Sequence, residues 1–298
     1  MIAQWPLVIA SVCLAWGAGL FASLCAASLA GRAPRARIGA WVVAVILLLA
    51  GALGFMLRTS HWDRLFNSFA HLASPITQEL ICLVIVIALA LVYLVAYRRS
   101  EGEVPAPVSA AGIAGAALLV VTVGRSAIVP ATTPALGQVM AVVAACGAAF
   151  ALGPMSFELV AGITDRQSRK TALGAFSAIG GGVGALTTAG YLAYLQAARS
   201  AAVVGTGRGV EFGVDPTRPQ ASIATKASLL PFGGECLPLA IAAIGCAVLA
   251  FAFALAACRK GVRPALVAMA LVLAVVSFTL LLVVFFMTGT AGAGAAAF

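Results

Sequence analysis

Charge is what this chain has least of. Only 9% of its 298 residues are Asp, Glu, Lys or Arg, against about a quarter in soluble globular proteins, so a water-facing surface of the size its length demands is excluded. Histidine is nearly missing as well: His61 and His71 are the only two and lie ten positions apart, which argues against haem ligated by histidines on separate helices. The seven cysteines (Cys13, Cys25, Cys82, Cys146, Cys236, Cys246 and Cys258) include no C-x-x-C pair. That spacing argues against an iron–sulfur cluster or a structural zinc held by this chain alone, and the cysteines read as small buried hydrophobes. A basic run interleaved with aromatics is also lacking, so nucleic acid is not an expected partner.

What is present is apolar: 63% hydrophobic residues and a mean hydropathy of +1.10. These describe an all-α polytopic membrane protein with the bilayer as its main environment. Since about 20 residues of helix cross a bilayer, apolar runs bounded by charge or by Pro/Gly clusters predict eight transmembrane helices, near 5–29, 38–58, 75–97, 108–128, 135–163, 172–197, 233–258 and 264–288. The expected arrangement is a single integral membrane domain over 1–298, built as two four-helix bundles at 5–129 and 135–288. The first run has no basic residue before it and is followed by Arg32, Arg35 and Arg37, the reverse of a signal peptide, so it is expected to stay as a helix with its N-terminus outside.

The chain carries 18 basic and 9 acidic residues. Eleven of the basic ones (Arg32, Arg35, Arg37, Arg98, Arg99, Arg166, Arg169, Lys170, Arg259, Lys260 and Arg263) fall in the short connections after the first, third, fifth and seventh spans. Those connections are expected to be cytoplasmic, which puts both termini outside the cell membrane. The other seven basic residues are spread over longer connections on the outer face, chiefly 59–74 and 198–232. Gly180-Gly181-Gly182 with Gly184 predicts a close-packing face on the sixth span. A phosphate loop is the poorer reading, because no Lys-Ser/Thr follows.

Ionisable residues within apolar spans are expensive, so Glu79, Arg125, Glu158 and Glu235 each call for a partner or a role. Glu79 follows the loop His61-Trp62-Asp63-Arg64-Leu65-Phe66, which gathers proton-accepting and aromatic groups suited to an amphipathic aromatic ligand. An interfacial aromatic belt accounts for the same composition. Pro75 reads as a helix start with Glu79 in its first turn, complementing the helix dipole. Arg125 either snorkels to the headgroups or joins the site. Glu158 reads as a neutral, hydrogen-bonded group inside the bundle, and Glu235 as a cap on the seventh span.

The opening Trp5-Pro6-Leu7-Val8-Ile9, the stretch from Gly54-Phe55 through His61 to Phe66-Asn67-Ser68, and Ser74-Pro75-Ile76-Thr77-Gln78-Glu79-Leu80-Ile81 resemble the membrane anchor subunit of bacterial dimethyl sulfoxide reductases. Wider relatives are the polysulfide-reductase and nitrite-reductase membrane subunits. Arg125 and Gly153-Pro154 also resemble that pattern. The resemblance implies an eight-helix, haem-free protein that binds and oxidises menaquinol near the outer face. Electrons would pass to a ferredoxin-like iron–sulfur subunit and a molybdopterin catalytic subunit docked there, in anaerobic respiration. Residue by residue, it implies that His61 and Glu79 handle the quinol protons, with Arg125, Trp62 and Phe66 lining the site.

Oxidising a quinol releases two protons, and an imidazole with an ordinary pKa near 6.5 suits one of them. Two other readings stay open: a secondary transporter or channel, which would place charged residues near the bilayer midplane, and a purely structural anchor without quinone chemistry.

Overall fold

A computed structural model describes residues 5–58, 74–100, 102–126, 135–164, 173–208, 231–233, 236–260 and 263–293. Among them are eight helices and no strand: α1 (Trp5–Leu29), α2 (Ala36–Arg58), α3 (Pro75–Arg99), α4 (Ala106–Ser126), α5 (Ala135–Thr164), α6 (Leu173–Arg208), α7 (Leu237–Lys260) and α8 (Pro264–Ala293). Seven are long and apolar enough to cross a membrane, which makes this a multi-pass membrane protein by length and composition. The exception is α6. At 36 residues it has ample length, but Gly180-Gly181-Gly182, Gly184, Thr187, Thr188 and Gly190 dilute its apolar surface. It also continues well past the expected end near 197, through an Ala-rich stretch of good helix formers, so the connection expected to begin at 198 begins after Arg208.

The helices alternate up and down. Gly51 of α2 faces Leu14 of α1 while Gly54 faces Ala10. Gly115 of α4 faces Leu89 and Val86 of α3, Gly174 of α6 faces Glu158 of α5, and Gly181 faces Phe251 of α7. Ser277 of α8 donates to the Ala243 carbonyl of α7 at 2.8 Å. This alternation puts the ends of α1, α3 and α7 and the starts of α2, α4 and α8 at one end of the bundle. We call it the basic end, since Arg32, Arg35, Arg98, Arg99, Arg259 and Arg263 all sit there.

Small residues decide the packing, because between lipid-solvated helices there is little hydrophobic gain and close approach must supply the attraction. Gly19 of α1 lies on the Ala149 carbonyl of α5, and Gly153 lies on the Gly19 carbonyl, so any side chain at either place would strike backbone. Pro154, inside α5, cannot donate the hydrogen bond that the Phe150 carbonyl would normally receive. That same carbonyl is the atom Gly180 of α6 packs on, in the manner of a Cα–H···O contact. The expected close-packing face is therefore present, against α5 on one side and Phe251 of α7 on the other.

Two cores result. One joins α1, α2, α3 and α4 with Ala145, Ala149, Phe157 and Ala161 of α5. The other joins α6, α7 and α8 with Val8, Val12 and Ala15 of α1 and Ala141, Ala148 and Met155 of α5. Helices α1 and α5 belong to both, so the cores do not divide cleanly at 129–135.

The basic end of the first core is tied by polar contacts. Gly31, in the left-handed region at φ 63°, closes α1 with Gly31 N–H on the Ser28 carbonyl and Arg32 N–H on the Ala27 carbonyl, a Schellman-type end. Arg37, counted above among the loop cations, is in fact buried in the first turn of α2 and donates to the Gly102 carbonyl at 2.8 Å. Trp41 donates to the Ala90 carbonyl at 2.8 Å, and the Ser28 and Tyr93 hydroxyls share a hydrogen bond at 2.5 Å.

Candidate functional site

The structure locates the predicted site residues unevenly. His61, Trp62 and Phe66, like Glu235, lie outside the described residues. Glu79 and Arg125 lie within them, both at the end of the bundle opposite the basic one.

Ser74 holds extended backbone at the N-cap of α3 without a side-chain cap bond, Pro75 takes the first helical position, and Gln78 N–H reaches the Ser74 carbonyl at 3.1 Å. The helix start is as expected, with proline where its missing N–H costs nothing. Glu79 is displaced from the expectation by one residue. It is the fifth residue of the helix, just past the first turn, and it is buried at 3% exposure, on the same face as the buried Cys82 and Leu83. Capping the dipole therefore does not account for it. A carboxyl so placed is one the surrounding helices have enclosed.

The antiparallel register that sets Gly115 against Leu89 and Val86 brings Glu79 level with the last turn of α4. That turn holds Thr122 and Ser126, both buried, with hydroxyls donating to the Leu119 and Val123 carbonyls at 2.8 and 3.1 Å. Arg125 stands between them in sequence and is exposed. Its guanidinium sits where a cation complements the carbonyl end of a helix and where its stem can snorkel.

At this end a narrow apolar crevice opens between the two cores, lined by Ser11, Val123, Gly124, Ala144, Tyr191, Phe278 and Phe285 among others. A second narrow crevice lies between α5, α6, α7 and α8, with Thr188 and Ser277 among its lining residues. Neither is lined by Glu79 or Arg125.

The other buried acid is Glu158, near the basic end of α5, at 2% exposure. Neither of its oxygens makes a hydrogen bond among the described residues, and the hydroxyl of Ser177 on α6, itself buried, lies beside it short of hydrogen-bonding geometry. The neutral part of the expectation for Glu158 is compatible with this, but the hydrogen-bonded part is not met. Ser177, Gly174 and Cys258, which surround it, carry no signal of this in the sequence beyond their small size.

The cysteines also depart from the uniform expectation. Cys25, Cys82 and Cys236 are buried, Cys13, Cys146 and Cys246 are half-buried, and Cys258 is exposed. Cys258 is in the last turn of α7. Among the described residues no three His, Cys, Asp or Glu side chains converge as a metal-binding group would require. No family model, curated protein or solved structure matches the chain.

Proposed function

We propose that this chain is the membrane anchor of a respiratory molybdoenzyme complex, oxidising menaquinol near the outer face and passing the electrons to an iron–sulfur subunit. The observation that carries the reading is Glu79. It is a carboxyl enclosed one turn inside α3, at the end opposite the basic loops and immediately after the segment that bears His61.

In this reading all eight helices span the membrane. The basic end faces the cytoplasm by the charge rule, so both termini and Glu79 lie toward the outside. Support for a spanning α6 comes from its course: Gly174 meets Glu158 near one end of α5, and Tyr194 meets Gly137 near the other.

The chemistry asked of the chain is proton acceptance as two electrons leave. His61 takes the proton of one quinol hydroxyl. Glu79 accepts or orients the second, and Trp62, Phe66 and Arg125 hold the ring at the interface. The iron–sulfur subunit and the molybdopterin subunit dock on the outer segments at 59–74 and 198–232. The terminal acceptor is chosen by the catalytic subunit.

Substituting His61→Ala is expected to abolish menaquinol-dependent reduction while leaving assembly, and activity with a soluble artificial donor, intact. Wild-type rates in both His61→Ala and Glu79→Gln would move the site elsewhere. A chain that purifies alone after gentle solubilisation and moves a solute across vesicles would replace the reading with a transporter.

A further inference from the structure

Glu158 has no part in the quinol chemistry above, yet it is the group the bundle treats most expensively. It lies six residues before the end of α5 at Thr164, roughly 9 Å of helix at 1.5 Å per residue. It faces the seam where α5, α6 and α7 meet at the basic end. A methyl group built on Gly174 of α6 would stand 3.3 Å from Glu158 Oε1 and 3.2 Å from the Cys258 Cα of α7, so carboxyl, glycine and cysteine are neighbours around one point. Cys258 is exposed. The carboxyl thus lies close to an exposed residue at that end.

An ionised carboxylate enclosed without a cation is among the costliest groups a protein can hold. Among the described residues packed here, α6 offers the Ser177 hydroxyl, α7 offers Cys258, and α5 offers no cation; Arg259 follows Cys258 but is exposed. A proton on the carboxyl removes the charge and turns one oxygen into a donor that Ser177 Oγ can accept. The glycine at 174 is what leaves the carboxyl its room.

We propose that Glu158, seated against Ser177, is a proton-binding site reached from the basic end of the bundle. The carboxyl is held as the uncharged acid and exchanges its proton with water at that end. Each exchange breaks the carboxyl O–H bond as a water oxygen takes the proton, and reverses, with no redox partner. The inference is independent of the quinol reading, since it uses neither His61 nor Glu79.

Infrared spectroscopy of the full chain in lipid tests it. The wild type should show a carboxylic-acid C=O stretch that is lost in Glu158→Gln and that moves to lower frequency after transfer to D₂O. Ser177→Ala should keep the band and shift its position, which provides a reading even where Glu158→Gln fails to fold. Identical acid regions in wild type and Glu158→Gln would show an ionised Glu158 and overturn the proposal. So would a Glu158 band that D₂O leaves unmoved, or one whose position Ser177→Ala does not change.

Discussion

Glu79 and Glu158 are both almost fully buried, at 3% and 2% exposure, and sit at opposite ends of the same bundle, yet their surroundings differ in kind. Glu79 enters a helix start made by Pro75, level with a turn that holds two buried hydroxyls and close in sequence to the segment that bears both histidines. Glu158 is pressed into a seam of glycine and alanine, with one hydroxyl beside it. Burial alone therefore does not mark a site for an external ligand. What separates the two is the polar company each keeps: a turn with the Thr122 and Ser126 hydroxyls level with Glu79, and the single Ser177 hydroxyl beside Glu158.

The comparison can be broken most severely through the seam. Gly180→Leu would drive a side chain into the Phe150 carbonyl that Pro154 leaves without its helical donor, and overpacking of this kind costs about 1–3 kcal/mol or more. We expect the largest loss of monodisperse, folded protein of any single change described here, read by size exclusion and thermal melting in detergent. A Gly180→Leu chain as stable as wild type would mean that the α5–α6 seam does not hold the Glu158 end together.

Glu79→Gln should leave folding near wild type while slowing menaquinol-dependent electron transfer by roughly 100-fold, the lower range for a lost proton acceptor. Activity with an artificial donor should not change. Equal loss with both donors would make Glu79 a packing residue and bring it closer to Glu158 in character.

At the basic end, Arg37→Ala removes the buried donor to the Gly102 carbonyl, and losing a charged hydrogen bond of this sort costs about 1.5–3 kcal/mol. A lowered melting point with quinol-dependent activity retained in the surviving protein is expected. Selective loss of activity would instead couple the basic end to the Glu79 end.

The smallest effect belongs to Arg125→Gln. An exposed cation at a helix carbonyl end contributes about 0.3–1 kcal/mol, so only a slight melting shift is expected, with at most a few-fold rise in the apparent KM for quinol. A loss as deep as that of Glu79→Gln would bring Arg125 fully into the site.

Several features were legible before any coordinates. The starts of α1, α3, α5 and α8 fall where Trp5, Pro75, Ala135 and Pro264 suggested, because proline and charge punctuate apolar runs in ways local chemistry enforces. The end of α6 was not legible. Its alanines favour helix but carry no stop signal, so the helix runs past the end expected near 197. Arg37 looked like a loop cation, and only its bond to the Gly102 carbonyl shows a buried donor. Of the site, Glu79 was singled out by charge in an apolar run, while its enclosure depends on α4 being set against α3 in one particular register. The expectations resting on His61, Trp62 and Phe66 lie outside the described residues.

The amino-acid sequence by itself determined that this is an all-helical membrane protein, where most of its helices begin, and that one set of connections is basic. Those properties depend on composition and on interactions within a few residues of each other, which any fold of the chain must respect. The tertiary structure alone decided that α1 and α5 serve both cores and that the carbonyl left by Pro154 is covered by Gly180. It also decided that Glu158 faces Ser177 and Gly174 across a seam. These meetings join residues on different helices, 16 to 30 positions apart for the α5–α6 pairs named here and about 130 apart where Gly19 meets Gly153, and they are set by helix register, which no local signal encodes.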